Sequence, residues 1–406
     1  MKLLYGVQGT GQGHISRARA MAAALRHYDV EVTWLFSGRP REQLRDMQPF
    51  GDFLYRRGLT FVTRAGRLRY LPTLLNNHLP QFLRDVRTLD LGAYDAVVTD
   101  FEPVTAWAAR RAGIPAIGIG HQYAFTGETP TVAGHWLARL VMQQFAPVSQ
   151  AIGLHWHPWA GNILPPILDL PARPAVKRNS AAPVIVYLPF EDQAAVTCLL
   201  QQFPAQRFHQ YAPALTEAQC DNVARRATSA TRFKRDLAGC AGVICNSGFE
   251  LISECLQWGI PVLTRPLAGQ MEQQSNALAL QELGYARVVP TLEPSHLQDW
   301  LERRQPPPAL HFPDVAGRLA RWLAEGAHTP AGNLARQLWQ DSRVSAGPPP
   351  EARTPEARTP EARTPEAPTP DGRTPTARQL GQAAGSVSLT PLFGGGQAWV
   401  DNQFRE

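Results

Sequence analysis

Apolar residues fall in short runs along the first 343 positions, and each run is followed by a stretch with helical spacing. Runs at 2–7, 30–36, 96–99 and 116–120 predict strands, and 14–27, 40–48, 73–88, 103–112 and 131–145 predict amphipathic helices. A proline-rich stretch, Leu164-Pro-Pro-Ile-Leu-Asp-Leu-Pro171-Ala-Arg-Pro174, interrupts the alternation. It then restarts with strands at 184–188, 208–211, 242–245 and 261–264 and helices at 191–203, 249–258, 271–283, 294–304, 314–325 and 331–342. Strand–helix alternation means parallel sheets with crossover helices. The expected fold class is therefore α/β, with two doubly wound, Rossmann-like domains facing across a cleft. The first spans 1–165, a linker 166–182, and the second 183–343, whose last helices can cross back onto the first. Ligands of such sheets sit outside the carboxyl ends of the strands.

The tail from 344 to 406 breaks the pattern. Glu351-Ala-Arg-Thr-Pro355 repeats at 356–360 and 361–365 and then decays. A proline in every repeat removes a donor and fixes φ, and the repeat has nothing larger than alanine to bury. The tail reads as disordered, and its six arginines against seven acids leave it nearly neutral.

Composition narrows the function classes. With 44% apolar residues, the 406-residue chain can bury a substantial core. No run approaches the ~18 uncharged apolar residues of a membrane span, and the most apolar region, 104–120, is broken by Arg110 and Arg111. The apolar run after Lys2 is too short for a secretory signal. Five cysteines, an odd number without a CxxC pair, suit free thiols in a cytoplasmic protein without a zinc site. Of the 40 basic residues behind the net charge of +6, all but Lys2, Lys177 and Lys234 are arginine, and they are scattered. A nucleic-acid footprint needs clustering on one face, so no nucleic-acid partner is expected. A basic surface suits an anionic nucleotide or an anionic membrane. Leu- and Arg-bearing surfaces such as 67–88 are compatible with peripheral contact at the inner face of the membrane, and a solvated amphipathic helix explains them equally well.

Three motifs carry chemistry. The first, Gly9-Thr10-Gly11-Gln12-Gly13-His14, follows strand one and opens a helix. Its glycines let backbone amides approach a ligand, and the helix start favours an anion. It is not a dinucleotide fingerprint, because His14 stands at the third glycine and strand two ends without an acid; nor is it a P-loop, because no Lys-Ser/Thr follows. What remains is a glycine loop that delivers one imidazole to the mouth of the sheet, where it can act as a base. The second motif, Asn246-Ser247-Gly248-Phe249-Glu250 with Glu254 beyond, runs from a buried strand into a helix that can cradle a diphosphate. The third, Gly269-Gln270-Met271-Glu272-Gln273-Gln274-Ser275-Asn276, offers amides and a carboxylate suited to sugar hydroxyls. Asp100 and His121 each lie at a strand end on the glycine-loop side; Asp100 can orient the base, and His121 can line the cleft. Glu102-Pro103 reads as a helix start. His155-Trp156-His157 has HxH spacing, but no third ligand is visible and no metal site is expected.

Taken together, the second and third motifs resemble the donor half of GT-B glycosyltransferases, and the glycine loop is similar to that of the MurG type among them. The resemblance covers about residues 1–325. It implies that Ser247, Gly248 and Phe249 hold a diphosphate and that Glu254 binds the ribose. It further implies that Glu272, Gln273 and Asn276 reach the donor sugar or its phosphates. On the same resemblance, Gly9, Thr10, Gly11, Gly13 and His121 are expected to line the acceptor side, with His14 there as base or as orienter. A nucleoside-diphosphate sugar is the implied donor, uridine by default, with 226–234 and Phe233 near the base ring. The implied reaction inverts configuration without metal or cofactor, and a lipid-linked or cell-envelope glycan is the kind of acceptor the family suggests. Two departures stand out: the loop reads Gln-Gly-Thr-Gly-Gln-Gly rather than Gly-Gly-Thr-Gly-Gly, and no lipid-carrier signature is present. A nucleotide-sugar hydrolase or 2-epimerase on the same fold, and a non-catalytic sugar-nucleotide binder, stay open at this level.

Overall fold

The computed structural model describes residues 1–344 apart from 61–62, 65–66, 69–76, 126–127, 133–135, 160, 172–180 and 309. The repeat tail and most of the expected linker thus lie outside the described residues.

The strand β1 (Lys2–Gln8) is buried from Leu3 to Gln8, as a strand covered on both faces must be. It pairs in parallel with β2 (Glu31–Ser37) on one side and β4 (Ala96–Asp100) on the other. With β3 (Leu54–Tyr55), β5 (Ala116–Gly120), β6 (Gln150–Leu154) and β7 (Ile163–Leu164) they form a seven-stranded parallel sheet of order β3-β2-β1-β4-β5-β6-β7. The second sheet repeats the plan. Its order is β10 (Ala218–Cys220), β11 (Val223–Arg226), β9 (Phe208–Tyr211), β8 (Val184–Tyr187), β12 (Gly242–Asn246), β13 (Val262–Arg265), β14 (Arg287–Val288). Only its β10–β11 pair is antiparallel.

In each sheet the chain reverses direction of growth beside the first strand, between β1 and β4 and again between β8 and β12. A doubly wound sheet opens a crevice at that point. The glycine loop and Asp100 end β1 and β4, and the Asn-Ser-Gly loop follows β12. Topology alone therefore puts the first and second motifs at the crevices of their sheets.

The helices follow in chain order as α1 (Gln12–Leu25), α2 (Leu79–Thr88), α3 (Pro103–Ala112), α4 (Trp136–Phe145), α5 (Gln193–Gln201), α6 (Ala230–Gly239) and α7 (Phe249–Gln257). Of these, α1 and α7 meet between the sheets. One hydrophobic core runs from Ile15 and Met21 of α1 through Phe249 and Ile252 of α7. It continues to Leu319 and Leu323 of a late helix, Val315–Ala324, which packs on α1. The following helix, Ala331–Asp341, covers β7, with Trp339 Nε1 donating to Ile163 O at 2.7 Å. Among the described residues no helix is long and apolar enough to cross a membrane.

Some expected elements differ. The helix expected at 40–48 is two single turns, Arg41–Gln43 and Gln48–Phe50, because the backbone between them leaves helical geometry: Leu44 is extended and Asp46 is left-handed, with φ of 58°. The helix expected from 73 begins at Leu79, with Pro80 in its first turn; 69–76 lie outside the described residues. Within the segment raised for membrane contact, the described part is the pair Arg67–Leu68, residues 77–78 and this helix.

Candidate active site

The glycine loop is held tightly. Gly9 N donates to Ser37 O at 2.7 Å, and a Cβ on Gly9 would lie 2.9 Å from that oxygen. The loop leads into α1 with Gly11 as its N-cap, so His14 sits in the first turn. Register places Val7 of β1 beside Asp100 of β4. The outcome is a pair: His14 Nδ1 lies 2.9 Å from Asp100 Oδ1. The Asp100 side chain is wholly buried and that of His14 is 12% exposed. Burial alone would raise the Asp100 carboxyl, but Arg17 and His14 outweigh it and hold the group below its ordinary value. Arg17 grips Asp100 with one edge of its guanidinium, Nε to Oδ2 at 2.9 Å and Nη2 to Oδ1 at 2.6 Å. The neighbouring Glu102 starts the next helix, its carboxylate accepting from Val104 N and Thr105 N.

In the second motif the side chains are turned inward. Ser247 Oγ is buried and shares a hydrogen bond with Thr264 Oγ1 at 2.9 Å. The Phe249 ring lies in the core between the lobes. What this loop can offer a diphosphate is its backbone at the start of α7. Gly248 is the N-cap there, and a Cβ on it would meet nothing within 4 Å. Glu254 is buried and ion-paired with Lys234 Nζ. Burial raises its carboxyl despite that lysine.

The third motif mostly holds itself in place. Gln270 caps its helix by accepting from Gln273 N at 2.8 Å, and Gln273 Oε1 accepts from Leu267 N at 3.0 Å. Asn276 is fully buried. Its Nδ2 donates to Ser247 O at 3.0 Å, and its Oδ1 lies 2.7 Å from His121 Nε2. These contacts differ from the sugar contacts the resemblance implied for Gln273 and Asn276: both side chains are engaged in shaping the loop and joining it to the first lobe. Glu272 does face the cleft side, accepting from Gln122 Nε2 at 3.1 Å. Gly269 has φ of 76°, a left-handed conformation that glycine adopts without strain, with open space beside it.

His121 is an interlobe side chain rather than an exposed wall of the acceptor cleft. It is 1% exposed, and Nδ1 donates to Leu154 O at 2.8 Å. Burial lowers its basicity. The HxH pair serves local structure: His155 Nδ1 accepts from Trp156 N, and His157 Nδ1 accepts from Trp159 N. Thr10 offers its carbonyl to Arg39 Nη2.

Four residues of the site escaped the sequence reading: Arg17, Arg39, Lys234 and Glu250. Arg17 lies three positions after His14, a spacing that puts both on one helix face. That was the available signal. Glu250 stands inside the second motif, an acid in the first turn of α7, and takes Arg17 Nη1 from the other lobe. Arg39 and Lys234 carry no pattern that separates them from scattered surface cations.

Two doubly wound sheets of this order, with a His–Asp pair at the crevice of the first and a glycine-capped helix start after β12 of the second, have the architecture of the GT-B class. The family model for glycosyl transferase family 1 matches residues 1–305, and the chain belongs to that family. It is similar to an uncharacterized glycosyltransferase of Methanosarcina acetivorans, 43% identical over 47 residues. That match spans 12% of this chain and 12% of that relative's length. Among solved structures, the Streptomyces sp. SF2575 glycosyltransferase SsfS6 in complex with thymidine diphosphate is similar with TM-score 0.51 and 16% identity, covering 84% of this chain and 99% of that one. The kitacinnamycin glycosyltransferase gives 0.50 and 16%, covering 84% and 98%. Acinetobacter baumannii MurG gives 0.46 and 16%, covering 84% and 100%. The likeness to SsfS6 and the kitacinnamycin enzyme supports the fold, and the protein is a transferase by family.

Proposed function

We propose that this glycosyltransferase moves a sugar from a nucleoside-diphosphate donor to a hydroxyl acceptor with inversion, and that His14 is its base. The 2.9 Å contact between His14 Nδ1 and buried Asp100 carries the reading. Asp100 accepts from Nδ1–H, which leaves Nε2 with a lone pair; among the described residues no hydrogen bond occupies it. The acceptor hydroxyl gives its proton to Nε2 as its oxygen bonds to the anomeric carbon. The bond from that carbon to the diphosphate oxygen breaks, and the nucleoside diphosphate leaves. Its growing charge is met by backbone N–H groups at the start of α7.

The donor base remains a proposal of uracil by resemblance. The SsfS6 structure holds thymidine diphosphate, so both pyrimidine families belong in a donor panel. We propose no divalent metal in the reaction, and turnover should persist in chelator. The acceptor class, lipid-linked or cell-envelope glycan, rests on resemblance to the MurG type.

The test is release of nucleoside diphosphate from a donor panel with and without acceptor extracts. His14→Gln should lower kcat by about a hundredfold or more, the range a positioned base contributes. A variant that keeps full turnover removes His14 from the reaction. Free sugar formed without acceptor would identify a hydrolase instead.

A further inference from the structure

Glu250 belongs to the second lobe, yet it ends in the base site of the first. It takes Nη1 of Arg17, whose side chain is 2% exposed and whose Nε and Nη2 already hold both oxygens of Asp100. The guanidinium is thereby pinned at two edges. Pinning matters because Arg17 Nη2 also lies 3.0 Å from His14 Nδ1. Nδ1 has two rival neighbours, an acceptor in Asp100 at 2.9 Å and a donor in Arg17. A neutral imidazole carries one proton. If Nδ1 donates to Asp100, Nε2 is free to act as a base. If Nδ1 accepts from Arg17, the proton sits on Nε2 and the base is lost.

The geometry points to Glu250 as a positioning residue for this choice: by fixing Arg17 from across the cleft, it keeps the guanidinium on Asp100 and His14 in its Nδ1–H form. The base would then be set only when the donor helix α7 is docked. A second observation ties this to the sequence. A Cβ on Gly13 would lie 2.5 Å from Glu250 Cγ and 3.3 Å from its Cβ. The third glycine of the loop is thus required by the approach of Glu250. Among the described residues, Tyr5 and Tyr123 also feel the charge of Asp100, and Tyr5 and His121 that of Arg17; burial raises both phenols and lowers the imidazole.

The inference rests on His14 being the base, and its test does not need turnover. Long-range proton–nitrogen spectra of the full chain labelled at histidine nitrogen report the tautomer of each ring. The His14 signal is identified by its loss in His14→Gln. In the wild type, His14 should carry its proton on Nδ1. Glu250→Ala should move the proton to Nε2, and Glu250→Gln, which keeps an acceptor, should restore the wild-type form. Gly13→Ala, which keeps every charge but displaces Glu250, should behave as Glu250→Ala. Where turnover is measurable, kcat should fall at least tenfold in both altered forms with KM little changed, a part of the base's share. Wild-type signals in both Glu250→Ala and Gly13→Ala, or Nε2–H already in the wild type, overturn the inference. Tautomers that respond as expected in a chain that turns over no donor would leave the inference standing and sink the transferase mechanism.

Discussion

The imidazole of His121 lies flat on the ring of Phe249, with centroids 3.9 Å apart and planes 6° apart. The first ring follows β5 of one lobe and the second opens α7 of the other. Trp156 also borders Phe249, at 5.1 Å, and its Nε1 donates to Ser253 Oγ at 2.8 Å. The lobes are joined here by aromatic packing rather than by loops alone. Removing a buried phenyl ring leaves a cavity and loses transfer energy, typically about 3–5 kcal/mol. Phe249→Ala should therefore lower the unfolding free energy by about 3 kcal/mol in urea titration, and Phe249→Leu by less. A loss below about 1 kcal/mol would show that this stack does little to hold the lobes together.

Acid should weaken the same region. Burial pushes His155 well below its ordinary value and lowers His121 as well, so both bind a proton less readily in the folded chain than in the unfolded one. Below the ordinary histidine value of about 6.5 the unfolded chain binds protons that the folded chain does not. Their contribution is complete above that value and is lost progressively as pH falls below it. Glu102 and Glu254 act in the opposite sense, since burial raises their carboxyls. The comparison must therefore be made against a variant. His155→Gln should unfold at urea concentrations that change less between pH 7 and pH 5.5 than those of the wild type. Equal pH dependence in the two proteins would mean that His155 is already charged, or solvated, when folded.

Much of the framework could be read from the chain, and the reasons are local. Strands such as Lys2–Gln8 and Ala116–Gly120 are short apolar runs because both sheet faces are covered. Helix Pro103–Ala112 announces itself by Glu102-Pro103 at one end and Gly113 at the other. By contrast, Val223–Arg226 is a strand near an edge with two arginines in four residues, and Ala230–Gly239 is a helix whose large apolar residues are Phe233 and Leu237 alone. Neither has a run or a period to detect. The site shows the same division. His14 and Asp100 are 86 residues apart but each follows a strand at the crevice of its sheet, so topology brings them together. Side-chain partners across the lobes, such as Arg17 with Glu250 or His121 with Asn276, depend on docking that no local pattern encodes. That is why Asn276 reads as a sugar ligand in the sequence and serves as a bracket between Ser247 O and His121 in the structure.

Lys234 and Glu254 allow the donor half to be tested apart from the catalytic half. Glu254 lies two helix positions past Ile252 in α7, buried, with Lys234 Nζ on Oε1. If the remaining oxygen receives the ribose hydroxyls, it does so on a carboxyl that burial raises while the lysine opposes that rise. Breaking a buried pair by removing one partner costs about 3–5 kcal/mol, because the other charge is left uncompensated. Lys234→Met should therefore destabilise the chain by about 3 kcal/mol, and adding Glu254→Gln to it should return most of that loss. Nucleotide binding separates the two roles. A ligand that binds only the folded chain raises the melting temperature by mass action. Uridine diphosphate should raise the melting temperature of the wild type and, less strongly, of Lys234→Met. It should raise neither Glu254→Gln nor the double variant. A full nucleotide shift in Glu254→Gln would reduce Glu254 to the lysine's partner and move the ribose site elsewhere along the carboxyl edge of the second sheet.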